Sequence, residues 1–120
     1  MARILVVDDE PEIIDILTMI LQQAGYEVDS APSGQECIKK AVDGKYDAIL
    51  LDVRMPALDG WKTLKKLKED GIADKLKIIM LTVEKGPGVE IFGLQDVVDD
   101  YIIKPFDKNI LLKHIREVLG

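Results

Sequence analysis

Apolar residues along the chain fall into two alternating patterns. Short, nearly unbroken runs rich in β-branched residues occupy positions 4–7, 48–51, 78–81 and 101–103, with a weaker run of alternating polarity at 26–31. An unbroken run suits a strand covered on both faces, as in a parallel sheet. Between these runs apolar positions recur every three or four residues, the period of a helix with one buried face. Ile13, Leu17, Ile20, Leu21 and Ala24 form the first such stripe, and Gly25 follows as a stop. Ser33 is placed to cap a second helix carrying Ile38, Ala41 and Val42, which Gly44 ends. Asp59 is placed to cap a third, with Trp61, Leu64 and Leu67, stopped near Gly71. Asp107 is placed to cap the last, with Leu111, Leu112, Ile115, Val118 and Leu119. Short polar side chains at the start and glycine at the end are the usual helix boundaries.

These patterns make five strand–helix units and predict an α/β fold, a doubly wound parallel sheet with helices on both faces. One unit is poorly made. Gly86-Pro87-Gly88 and Gly93 interrupt the stretch between Thr82 and Asp99. Glycine inside a helix costs about 1 kcal/mol relative to alanine, and proline suits only the first turn. A short or mobile fourth helix starting near Pro87 is expected.

Composition narrows the function. A chain of 120 residues suits one domain spanning 1–120, with 48% hydrophobic and 32% charged residues. Sixteen basic against 22 acidic residues give a net charge of −6, which disfavours direct binding to nucleic acid or an anionic membrane. A single cysteine, Cys37, excludes an internal disulfide or a multi-cysteine metal site. No apolar run reaches the roughly 18 residues of a membrane span. Residues 1–3 lead straight into a strand-like run rather than a signal peptide. A cytoplasmic location is expected.

In a doubly wound sheet, ligands bind at the carboxyl ends of the strands. Those ends carry Asp8-Asp9-Glu10, Asp52, Thr82 and Lys104-Pro105, four separate segments that the topology brings to one edge. Carboxylates about 4 Å apart repel by roughly 4 kcal/mol per pair at an effective dielectric near 20. Three of them need a cation or proton uptake to coexist. A hard divalent ion such as Mg²⁺ takes one or two carboxylates and keeps sites for phosphate oxygens. With a lysine and a hydroxyl beside it, the arrangement meets the needs of phosphoryl transfer onto a carboxylate, giving an acyl phosphate.

The residues Val6-Val7-Asp8-Asp9-Glu10-Pro11, Leu51-Asp52-Val53-Arg54-Met55-Pro56 with Asp59-Gly60, Thr82, and the run from Asp99 to Phe106 resemble the receiver domain of two-component response regulators, in a single-domain, chemotaxis-regulator-like form. The intervals fit as well: 43 residues from Asp9 to Asp52, 30 to Thr82 and 22 to Lys104. The resemblance implies a flavodoxin-like sheet of order 2-1-3-4-5 with five helices and commonly a cis Lys104–Pro105 peptide. It implies Asp52 as phosphoacceptor and Mg²⁺ as cofactor, held by Asp9, Asp8, Asp52 and the backbone carbonyl of Arg54. Thr82 and Lys104 would reach the phosphoryl group, and Tyr101 would be the aromatic switch. The partners implied are a sensor histidine kinase or histidine phosphotransfer protein and a downstream effector met through the helix 4–strand 5–helix 5 surface. The chain would be a monomer or a phosphorylation-dependent dimer, and no enzyme beyond phosphotransfer to itself and autodephosphorylation.

Some positions depart from the pattern. Val83 stands where a small residue is usual, and Val97 where glycine is favoured. Arg54 and Glu84, each two residues beyond a site residue, are expected to pair across its mouth. Asp99 and Asp100 read as surface or turn residues, and His114 as solvent-facing. Two other functions compete. An aspartyl-phosphate phosphatase would want a second acid two residues after the nucleophile, where Arg54 stands. A pseudo-receiver that only binds partners is argued against by the acid triad and left open by Val83 and the glycine-rich fourth helix.

Overall fold

The computed structural model describes residues 2–55, 58–83, 94 and 96–120. Along the chain run β1 (Arg3–Val7), α1 (Pro11–Gln23), β2 (Glu27–Ala31), α2 (Gly34–Val42), β3 (Ala48–Asp52), α3 (Gly60–Glu69), a 3-10 turn (Ala73–Lys75), β4 (Lys77–Thr82), β5 (Asp100–Ile103) and the C-terminal helix α4 (Lys108–Leu119). The five strands form one parallel sheet of order β2-β1-β3-β4-β5. Four α-helices stand among the described residues against the five expected. The helix expected near Pro87 lies outside those residues, as does Glu84. The 3-10 turn leading into β4 was not foreseen.

The unbroken apolar runs have a direct cause. Alternate residues of the central strands point to opposite faces. Leu5, Val7, Ile49, Leu51, Ile78 and Met80 pack with Cys37, Ala41, Trp61, Leu64 and Leu67 from α2 and α3. Ile4, Val6, Ala48, Leu50, Ile79, Leu81 and Ile102 pack with Leu17 and Leu21 of α1 and Leu111, Leu112 and Ile115 of the C-terminal helix. Burial of each large aliphatic chain contributes about 1.5–3 kcal/mol. Most of the fully buried large side chains come from β1, β3 and β4, so the middle of the sheet is rigid enough to hold unfavourable groups at its end. The edge strands β2 and β5 are only partly covered, which is why 26–31 reads as a weak, alternating run.

The helix boundaries follow the predicted side chains. Ser33 Oγ accepts from the Glu36 amide, an Asp59 carboxylate oxygen from that of Lys62, and an Asp107 oxygen from that of Ile110. The stops at Gly25, Gly44 and Gly71 lie at φ of 98°, 64° and 76°. No helix among the described residues is long and apolar enough to cross a membrane.

Candidate functional site

The parallel register brings the strand ends to one edge. Asp8 follows β1, Asp52 ends β3, Thr82 ends β4 opposite Ile103, and Lys104 follows β5. The Lys104 amide donates to the Thr82 carbonyl at 2.7 Å, which extends the β4–β5 pairing by one bond and fixes where the lysine leaves the sheet. The Lys104–Pro105 peptide is cis.

Lys104 Nζ lies 3.2 Å from Asp52 Oδ1 and 3.5 Å from Asp8 Oδ2. One ammonium therefore serves two carboxylates, both buried: Asp8 is 0% and Asp52 3% exposed. Asp8 Oδ1 accepts from the Glu10 amide at 2.9 Å, but Asp8 Oδ2 has no hydrogen-bond partner. Asp52 Oδ1 also receives the Arg54 amide, a long contact of 3.3 Å. Burial, with the Asp8 charge adding to it, pushes the Asp52 carboxyl up from 3.8 to about 6. Lys104 and the Arg54 amide act in the opposite direction and do not cancel it.

Asp9 and Glu10 are exposed, and one carboxylate oxygen from each lies within 4.8 Å of one from Asp8. A buried carboxylate oxygen with no hydrogen bond and only a long ion pair to Lys104, two exposed carboxylates beside it and an all-oxygen donor set fit a hard divalent cation. Glu10 enters this cluster although the sequence reading gave it no ligand role.

The remaining predicted residues fall around this centre. Thr82 is buried at the edge. Tyr101 is half-buried, its ring centroid 6.4 Å from that of Trp61 with the planes at 54°. Arg54 and Val83 are exposed. The gate expected between Arg54 and Glu84 lies partly outside the described residues.

Gly60 is a residue whose part in the site was missed. A Cβ there would meet the Asp52 carbonyl oxygen at 2.4 Å and the Val53 Cα at 2.8 Å. The Gly60 amide donates to the Val53 carbonyl at 2.9 Å. The first turn of α3 thus rests directly on the backbone that carries Asp52, a contact only glycine permits. The sequence signal was a glycine, Gly60, directly after the helix cap Asp59.

His114 corrects another expectation. It is half-buried rather than solvent-facing, with Nδ1 2.6 Å from Asp100 Oδ2. Asp100 is accordingly a paired residue on the first position of β5.

The chain is similar to known proteins over nearly its whole length. The family model described as the response regulator receiver domain matches residues 4–116. The chain is a response regulator receiver domain. Its fold superposes on the chemotaxis protein CheY4 of Vibrio cholerae with a TM-score of 0.88 at 36% identity, covering 99% of each chain. The response regulator TrrA of Thermotoga maritima, solved in complex with Mg²⁺ and BeF, gives 0.85 at 35% identity, covering 99% of this receiver and 100% of TrrA. Among curated relatives, the transcriptional regulatory protein PhoP of Bacillus subtilis is 38% identical over 117 residues, 98% of this chain and 48% of PhoP. The receiver spans about half the length of that relative and of others like it. Protein PilH of Pseudomonas aeruginosa is 34% identical over 120 residues, 100% of this chain and 99% of PilH. The receiver family serves two-component signalling as a regulatory module.

Proposed function

We propose that residues 1–120 form one receiver domain that takes a phosphoryl group onto Asp52 and thereby changes the surface it offers to a partner. The observation that carries this reading is the Asp52 carboxylate, held at the end of a rigid strand between Asp8 and Lys104. It is under-compensated and fixed in direction, and an in-line nucleophile needs that fixed direction.

The donor is a phosphohistidine of a sensor kinase or phosphotransfer protein, with both partners in the cytoplasm. An Asp52 oxygen attacks phosphorus, the phosphorus–nitrogen bond breaks, and its electron pair leaves with the donor imidazole. Asp9, Asp8, Asp52 and the Arg54 carbonyl would hold Mg²⁺, as the resemblance to the family implies, and Glu10 has a carboxylate oxygen within 4.8 Å of those of Asp8 and Asp9. That ion supplies positive charge to the phosphoryl oxygens when bound. Lys104, already 3.2 Å from Asp52, moves onto the new dianion as its counter-charge. Thr82 reaches another phosphoryl oxygen with its hydroxyl. Tyr101 then turns inward beside Trp61, and the face around β5 and the C-terminal helix is redistributed between two pre-existing states. An effector protein reads that face. The protein is a phosphoacceptor whose only chemistry is on itself.

The test is incubation with acetyl phosphate, with and without Mg²⁺, followed by intact mass. A gain of one phosphoryl group that needs Mg²⁺ and is absent in Asp52→Asn is expected. No gain, even from a histidine-kinase donor, would overturn the reading and leave a partner-binding pseudo-receiver.

A further inference from the structure

A second group of metal-ligating side chains lies at the opposite end of the sheet. Asp100 opens β5, whereas Lys104 follows its end, so four residues at about 3.3 Å each separate the two places by roughly 13 Å. Here Asp100 meets His114 and Glu117 of the C-terminal helix, and one donor atom from each of the three lies within 4.8 Å of the others.

The backbone sets this group up. His114 and Glu117 are three residues apart and therefore neighbours on one helix face. The Tyr101 amide donates to Asp100 Oδ1 at 2.8 Å, which turns Oδ2 toward His114 Nδ1 at 2.6 Å. Asp99 and Lys77 line the same open cleft, paired at 3.9 Å, so one lysine there stands against three carboxylates. Asp100 and His114 are half-buried while Glu117 is exposed, which leaves a side open for entry.

We propose that Asp100, His114 and Glu117 form a second metal site, for a borderline divalent cation of the Zn²⁺ type. One imidazole nitrogen with two carboxylates suits such ions, whereas Mg²⁺ prefers oxygen donors alone. Three protein ligands leave a fourth position for water. Metal–donor distances of about 2.0–2.2 Å place tetrahedral donors roughly 3.3 Å apart. The 2.6 Å pair must therefore open slightly around the ion, a small adjustment for half-exposed side chains. The bound ion ties the first residue of β5 to the last turns of the C-terminal helix. This site does not depend on the phosphoacceptor reading.

His114 is the only histidine, so its ring is a unique reporter. Protein labelled with ¹⁵N-histidine is titrated with Zn²⁺ while excess Mg²⁺ competes for the acids at the other edge, and the ring nitrogens are followed by NMR. The expected result is a ring-nitrogen shift that saturates near one equivalent, with affinity weakened at least tenfold in both Asp100→Asn and Glu117→Gln. Ring signals that stay in place, or a smaller loss of affinity in either variant, would overturn the site.

Discussion

Two carboxylates, one midway along the edge strand β2 and one at the end of the central strand β3, show what separates a structural acid from one held for chemistry. Asp29 on β2 accepts the Tyr46 hydroxyl at 2.6 Å, the Lys40 ammonium at 3.2 Å and the Ser30 amide at 2.8 Å. These donors, the Tyr46 hydroxyl foremost, hold its carboxyl below 3.8 despite partial burial. Tyr46 is in turn pushed up to about 12, chiefly by burial and then by its bond to Asp29, so the phenol remains a donor at all ordinary pH. Asp52 is more deeply buried, has fewer donors, and shares its lysine with Asp8. Its carboxyl rises to about 6 instead. The first acid stabilises the fold by being charged, and the second destabilises it by being charged.

The largest effect expected from breaking this contrast is at Asp52. Its folded pKa is raised, so the stability it contributes is full below 3.8 and is lost as pH rises through about 6. A rise from 3.8 to about 6 corresponds to ~3 kcal/mol at most. Asp52→Asn should therefore gain stability at pH 7 without divalent cations, and the difference from wild type should vanish near pH 3.5. Urea unfolding at the two pH values checks both. A variant less stable at pH 7 would mean that Lys104 already compensates the carboxylate.

Next comes Gly60→Ala. The added methyl meets the Asp52 carbonyl oxygen at 2.4 Å, and overpacking of this kind costs about 1–3 kcal/mol. Because the displaced backbone carries Asp52, phosphate uptake from acetyl phosphate should slow as stability falls. Normal uptake in a destabilised protein would separate the packing from the site.

Mg²⁺ should raise the melting temperature of the wild type at pH 7.5, by mass action on the folded state. Asp9→Asn should lose most of that gain, and an equal gain in the variant would move the ion elsewhere. The smallest effect belongs to Asp29. Tyr46→Phe removes a hydrogen bond to a half-exposed carboxylate and should cost about 1 kcal/mol at pH 7 by urea unfolding. Since the Asp29 pKa is depressed, that contribution is present above 3.8 and fades as pH falls below it, opposite in sign to Asp52.

The strands were legible because burial on both faces leaves no polar alternation, as in 48–51. The site was legible because parallel strands put their ends on one edge, and the order β1-β3-β4-β5 makes Asp8, Asp52, Thr82 and Lys104 neighbours there. Features set by tertiary approach were harder to read. Gly60 is required by a contact with the Asp52 carbonyl, whereas the Asp59-Gly60 pair by itself marks only a helix start. His114 lies three residues from Leu111 at the border of the helix's buried face, and its burial depends on Asp100 from a separate strand.

The central claim is that Asp52 accepts the phosphoryl group, and borohydride trapping reads that residue directly. Protein incubated with acetyl phosphate and Mg²⁺ is reduced, which converts an aspartyl phosphate to homoserine, and is then digested and mapped by mass spectrometry. Homoserine is expected at position 52 alone. Homoserine at Asp8, Asp9 or elsewhere, or at no position, would contradict it.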